Sequence, residues 1–246
     1  MRWSARSCVS SVSPTKVVTM SEVDSYLAGG SLVSRAFYSL VRNLLVVLCL
    51  VVTRVRVIDR HKVPATGAFI LAPIHRSNID SPLASAVTRR RMRFMGKDSL
   101  WKVRPIGWVL SALGGFPVSR GTADREALKR CIAVLESGEP LVLFPEGTRQ
   151  FGPKVHPLFD GAAYVAVKAG VPIIPVGIGG SERVMPKGSK MIYPRKCVMI
   201  IGDPIIAERD SEGRVPRSAV KDVTERLSGS LQELFDRAQE LAGADN

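Results

Sequence analysis

The chain has 246 residues, with 35 Lys and Arg against 22 Asp and Glu, a net charge of +13 and a pI near 10.1. That length makes one domain or a small pair around a sizeable core, and 46% hydrophobic with 23% charged residues exclude a disordered chain, a collagen-like fibre and a multi-span membrane protein. The surplus charge calls for an anionic partner, whether nucleic acid, a membrane surface or a phosphorylated substrate; residues 1–60 carry 8 basic and 3 acidic side chains and residues 61–130 carry 13 and 4, so the excess lies in the first 130.

The first twenty residues are Ser-rich, hold Arg2 and Arg6, and have no apolar run of the kind a signal peptide needs. They read as disordered, with Met20 as an alternative start. Residues 37–52 are strongly apolar but broken by Arg42 and Asn43. The unbroken part, 44–52, is too short for a hydrocarbon core that takes about 20 helical residues. It reads either as a buried helix or as a helix dipping into one leaflet beside Arg35, Arg54 and Arg56. We therefore divide the chain into an N-terminal segment, 1–53, and a domain, 54–246.

From there short apolar runs bounded by Gly, Pro or charge predict strands at 54–58, 68–72, 92–95, 116–118, 141–144, 172–177 and 198–202. Helical spacing predicts helices at 82–90, 122–137 (Thr122 as N-cap), 160–169 and 217–241. The last has an apolar stripe of Val220, Val223, Leu227, Leu231, Leu234, Ala238 and Leu241. Strands alternating with helices imply an α/β fold, a sheet covered by helices. Cys8, Cys49, Cys131 and Cys197 are widely spaced with no CxxC pair, which fits reduced thiols rather than a disulfide framework or zinc site.

Three segments carry chemistry. In 71–82 (LAPIHRSNIDSP) a strand runs into a turn with His75, followed by Asp80 at a helix start. On one regular helix these two would lie about 140° apart. A turn into a helix can instead bring Asp80 back to one imidazole nitrogen, leaving the other free to accept a proton near neutral pH; the plainer alternative is an N-cap Asp beside a packed His. After the strand at 141–144 come Pro145, Glu146, Gly147, Thr148 and Arg149. A charged turn at a strand end is where α/β folds bind ligands, and Arg149 has the planar fork suited to phosphate. Residues 114–121 (GGFPVSRG) place Arg120 in a similar setting.

In this order the segments resemble the glycerolipid acyltransferases of the lysophosphatidic acid acyltransferase type. His75–Asp80 matches the family's His-x4-Asp block, Gly115, Phe116 and Arg120 its second, 144–149 (FPEGTR) its third and 171–176 (VPIIPV) its fourth. Lys97 and the Phe159/Gly161 pair also match, and the resemblance covers about 55–205. One departure is Ile74, where many members have Asn. The resemblance implies a central mixed sheet flanked by helices, with an N-terminal membrane-associating helix, and acyl transfer from acyl-CoA or acyl-carrier protein to the sn-2 hydroxyl of lysophosphatidic acid. His75 would be the general base and Asp80 its orienting carboxylate, the logic of a Ser–His–Asp triad in which the substrate brings the hydroxyl. Arg120 and Arg149, with Lys97, would bind phosphate. Phe116, Gly147 and Thr148 would line the substrate site, and Glu146 would orient Arg149 or bind a glycerol hydroxyl. The reaction implies no metal and no cofactor. The expected setting is peripheral or monotopic on the cytoplasmic face of the cell membrane, against an anionic lipid surface and with no nucleic acid.

Other patterns lead elsewhere. Residues 177–182 (GIGGSE) begin like a dinucleotide fingerprint, but Glu182 stands where its last Gly belongs. Residues 186–190 (PKGSK) lack the upstream Gly of a P-loop, and His61 and His156 have no metal-ligand neighbours. A non-enzymatic binder of nucleic acid or anionic lipid finds its best argument in Arg89, Arg90, Arg91 and Arg93, which read as a solvated or membrane-facing edge. Within the enzyme class, another lysophospholipid or glycerol 3-phosphate would satisfy the same motifs.

Overall fold

The apolar runs assemble into one seven-stranded sheet: β1 (Arg56–Ile58), β2 (Ile70–Pro73), β3 (Arg93–Lys97), β4 (Gly115–Val118), β5 (Leu141–Val142), β6 (Ile173–Gly179) and β7 (Val198–Ile201), in the order β1-β7-β6-β2-β5-β3-β4. The structure, a computed structural model, describes residues 32–118, 125–186, 189, 191–206 and 214–243. From β6 to β4 all neighbours are parallel; β7 runs antiparallel to β6, and β1 parallel to β7. The sheet is therefore mixed.

Alternation along the strands feeds two cores. Ile70, Ala72, Leu141 and Ile173 point into one, which is covered by α4 (Arg125–Glu136), α5 (Gly161–Ala169) and α7 (Arg217–Ala242). Phe69, Leu71, Val142, Ile174 and Val176 point into the other, beside Leu83 of α2 (Asp80–Ser85) and Cys49 of α1 (Leu32–Thr53). All of β6 is buried, so it reads as a continuous apolar run rather than an alternating one.

α7 buries Val220, Val223, Leu227, Leu231, Phe235, Ala238 and Ala242. This is the expected stripe up to Leu231. Beyond it Ala238 is also buried as expected, while Phe235 and Ala242 take the places of Leu234 and Leu241, because a period of 3.6 drifts from the simple three-and-four spacing that picked those two. The helix lies almost directly on β6. A Cβ at Gly177 would stand 2.4 Å from the Leu234 carbonyl carbon, and one at Gly179 would stand 2.1 Å from the Ala238 carbonyl oxygen. Glycines that begin like a nucleotide motif thus admit a helix backbone instead.

α1 changes the reading of the N-terminal apolar run. Arg42 does not break the run's outer face, because it turns inward and donates to the carbonyls of Ser85 (3.2 Å) and Thr88 (2.6 Å). Arg60 donates to the carbonyls of Val87 (2.7 Å) and Ala86. Two arginines from distant segments thus satisfy the orphan carbonyls at and beyond the carboxyl end of α2. The outer face keeps Leu40, Leu44, Val47, Leu48 and Val51 exposed. Residues 35–53 form a helix long and apolar enough to cross a membrane by length and composition, so the run is longer than the unbroken stretch 44–52 implied.

A helix not anticipated from the sequence, α3 (Arg104–Ala112), begins with Pro105 in its first turn and packs on α1 through Phe37 and Trp108, whose rings are 5.4 Å apart. The arginine run is also reassigned. Arg90 donates to the carbonyls of Pro64 and Gly138, Arg91 to those of Ser111 and Ala112, and Arg93 is buried against the Glu139 carboxylate. Only Arg89 of the four is exposed. The run holds the fold together and does not form a solvated edge.

Candidate active site

β2 and β5 are parallel neighbours, so the chain leaves both at the same edge of the sheet. The segment after β2 carries His75, and the turn after β5 carries Glu146 to Arg149. Backbone bonds hold the two exits in register, Leu143 N–H to the Leu71 carbonyl (3.0 Å) and Gln150 N–H to the His75 carbonyl (2.9 Å).

His75 is fixed on three sides. Its Nδ1 lies 3.1 Å from Asp80 Oδ2, its ring stacks on Phe144 with centroids 4.0 Å apart, and its backbone N–H donates to Glu146 Oε2 at 3.0 Å. Asp80 is the first residue of α2, after Ile79 at the N-cap, and its side chain reaches back into the turn. The same Oδ2 accepts the backbone N–H groups of Arg76 and Ser77, each at 2.6 Å. An oxygen already accepting two N–H groups faces the imidazole as an acceptor too, so Nδ1 carries the proton and Nε2 presents its lone pair. Nε2 has no hydrogen-bond partner among the described residues; the His75 side chain is 17% exposed and that of Asp80 fully buried. Asp80 thus closes the turn onto the imidazole, as the first of the two sequence readings expects.

Glu146 differs from expectation. Its partner is Arg76 and not Arg149: Arg76 Nη1 donates to both carboxylate oxygens, at 2.9 and 2.8 Å, with both side chains out of solvent. Glu146 Oε1 also accepts the His156 backbone N–H at 3.1 Å. Arg76 Nη2 donates to the Lys154 carbonyl at 2.9 Å, and its guanidinium carbon sits 4.9 Å from the centre of the Phe235 ring. Sequence reasoning missed Arg76. Its one local signal is its place directly after His75; its partner is 70 residues away and adjacent only through strand order.

The other expected residues are placed as follows. Arg149 is half-buried on the same turn, and among the described residues its guanidinium has no partner. Gly147 has φ 70°, the left-handed conformation that favours glycine, and a Cβ there would have to displace the exposed Phe159 ring, 2.6 Å away. Thr148 is exposed, and its Oγ1 accepts from Gln150 Nε2 at 3.2 Å. Phe116 is packed into the core with Ala127 and Cys131, 1% exposed, rather than lining an open face. Lys97 ends β3, pairing with Val118 of β4; its side chain, like the whole of Arg120 and Thr122, lies outside the described residues.

A parallel-centred α/β sheet with a histidine–aspartate pair at its carboxyl edge and a free arginine one turn away defines the class. The acyltransferase family model matches residues 54–179, just over half of the chain, and the chain belongs to that family. It is 33% identical over 111 residues to the chloroplastic 1-acyl-sn-glycerol-3-phosphate acyltransferase BAT2 of Brassica napus, a match covering 44% of this chain and 32% of that protein. It is 27% identical over 205 residues to the 1-acyl-sn-glycerol-3-phosphate acyltransferase of Bacillus subtilis, covering 83% of this chain and all of that one. The chain thus spans about a third of the plant relative and the full length of the bacterial one. The crystal structure of the 1-acyl-sn-glycerophosphate acyltransferase PlsC from Thermotoga maritima is similar with a TM-score of 0.61 at 28% identity, over 86% of this chain and 79% of that chain.

Proposed function

We propose that the chain is a 1-acyl-sn-glycerol-3-phosphate acyltransferase. The reading is carried by one observation: His75 has its Nδ1 held by a buried carboxylate and its Nε2 unpartnered, on the sheet edge that also bears Arg149. His75 Nε2 takes the proton of the sn-2 hydroxyl as that oxygen attacks the acyl thioester carbonyl. The new C–O bond forms, the C–S bond breaks, and the imidazolium returns the proton to the departing thiolate. Asp80 holds the tautomer and stabilises the imidazolium. Arg149 binds the acceptor phosphate by charge-assisted hydrogen bonds, together with Arg120 and Lys97. The donor is acyl-CoA or acyl-carrier protein.

The same reading places the protein on a membrane, at the cytoplasmic face. It is supported by the exposed apolar outer face of α1 and by exposed Val103, Ile106 and Trp108 at and beside α3, which α1 touches. The rival nucleic-acid binder loses its main support, since three of its four arginines are committed inside the fold.

The test is transfer of labelled acyl groups to a panel of lysophosphatidic acid, other lysophospholipids and glycerol 3-phosphate. Lysophosphatidic acid is the expected best acceptor; a higher kcat/KM for another overturns the assignment. His75→Ala lowers kcat about 10²–10⁴-fold, the usual worth of a general base, and a variant keeping more than about a tenth of native kcat sinks that role. Arg149→Ala raises KM for the phosphorylated acceptor, and an unchanged KM removes it from the phosphate site.

A further inference from the structure

We infer that Arg76 is a positioning residue for His75, acting through Glu146; this rests on the reading of His75 as the base. The Glu146 carboxylate receives the His75 backbone N–H on one oxygen, the His156 N–H on the other, and Arg76 Nη1 on both. Glu146 and Arg76 together join the exit of β2 to the turn after β5 through a pair of opposite charges. A fully buried carboxylate holds that arrangement only while a cation compensates it, and Arg76 is the cation it meets. Arg76 is in turn fixed from other directions, by its own N–H on Asp80 Oδ2, by the Lys154 carbonyl and by the Phe235 ring. The Arg76 backbone N–H and the His75 imidazole therefore share one acceptor oxygen, and the Arg76 side chain and the His75 backbone N–H share one carboxylate. Displacing the guanidinium moves both supports of the ring together.

Arg76 has no exposed surface with which to touch a substrate, its side chain being 1% accessible. Its contribution therefore falls on the geometry of the reacting pair and not on ground-state binding. Misplacement of a catalytic group by about 1 Å costs up to about 100-fold in rate. The geometry also sets the distance between chemistry and recognition, because Glu146 lies three residues from Arg149, whose turn is bonded to the His75 carbonyl through Gln150.

The experiment measures kcat and both substrate KM values for Arg76→Gln and Arg76→Lys in the full chain, below the thermal midpoint of each, with His75→Ala alongside. The expected result is a fall in kcat of about 10- to 100-fold for Arg76→Gln, with both KM values within about twofold of native. Arg76→Lys, which restores the cation, recovers kcat to within about fivefold of native. A Gln variant within about threefold of native kcat overturns the inference, as does a loss expressed in KM. A loss in the Gln variant that Lys does not recover also overturns it. If Arg76→Gln does not fold, the double variant Arg76→Gln/Glu146→Gln, which leaves no uncompensated charge, is measured against the same limits; its failure to fold makes the pair purely structural and ends the proposal. An inactive His75→Ala beside an unimpaired Arg76→Gln refutes the positioning role alone, whereas an active His75→Ala refutes the base.

Discussion

Asp80 serves two purposes with one oxygen. Oδ2 closes the turn through two backbone N–H groups and holds the imidazole, so a change there disturbs the fold of the turn and the orientation of the His75 ring together. The pair was legible in the sequence because both members lie within five residues, where turn geometry decides who meets whom. Glu146 was legible as a residue but not as a contact. Its partner follows from β2 lying beside β5, which no local spacing reveals. Cys197 shows how burial acts on a group outside the chemistry. The thiol is fully buried, and desolvation, aided by the Asp80 and Glu182 charges, pushes it up to about 12. In the unfolded chain it ionises near pH 9, so between about pH 9 and 12 the native state holds a proton that the unfolded state has lost. Stability is full below that window and falls as pH rises through it. Tyr38, also raised by burial, adds the same sign above pH 10. The urea midpoint of the native protein should therefore fall over this window, and more steeply than that of Cys197→Ala. Equal slopes would show that the thiol does not contribute.

Among the elements, the contact of β6 with α7 has the least slack. A methyl at Gly179 meets the Ala238 carbonyl at a distance no side-chain rotation can relieve, since the obstacle is backbone. Gly179→Ala should cost about 3 kcal/mol or more, at or above the usual range for overpacking, seen as a lower denaturant midpoint at unchanged slope. A loss under about 1 kcal/mol would show that α7 is free to retreat. The strands were read from the sequence to within a few residues at their ends, because short apolar runs between Gly, Pro and charge leave few other readings. α3 was not, because Gly107 and the short span weaken its helical signal, although Pro105 marks its first turn. The arginine run misled for a related reason. Four charges in five residues look solvated, but guanidinium groups can also satisfy carbonyls left over at loops and helix ends, and that use is invisible until the chain is folded.

For the whole molecule, the net charge of +13 overstates the basic surface that a membrane would meet. Arg42, Arg60, Arg90, Arg91 and Arg93 are bonded to carbonyls or to Glu139, which leaves apolar area as the larger part of any attraction to lipid. Removing α1 outright would be a poor test of this. Tyr38 and Arg42 pack into the fold, and the Thr53 carbonyl accepts the Cys197 N–H. Three changes on the outer face, Leu44→Glu, Val47→Glu and Val51→Glu, alter exposed positions only. Combined, they should move the protein from the vesicle pellet to the supernatant while leaving its thermal midpoint within a few degrees. Continued sedimentation with vesicles would place the lipid contact elsewhere.

The bare face of β6 also bears on the order in which the molecule completes itself. At Gly177 and Gly179 that strand has no side chains of its own to shield it, and its cover, residues 234–239 of α7, follows every strand in the chain. During synthesis the turn that carries His75 and all seven strands leave the ribosome before the helix that seals them. α1 leaves before any of these. A nascent chain therefore presents the exposed apolar face of α1 while the sheet is still open on one side, before the fold has closed.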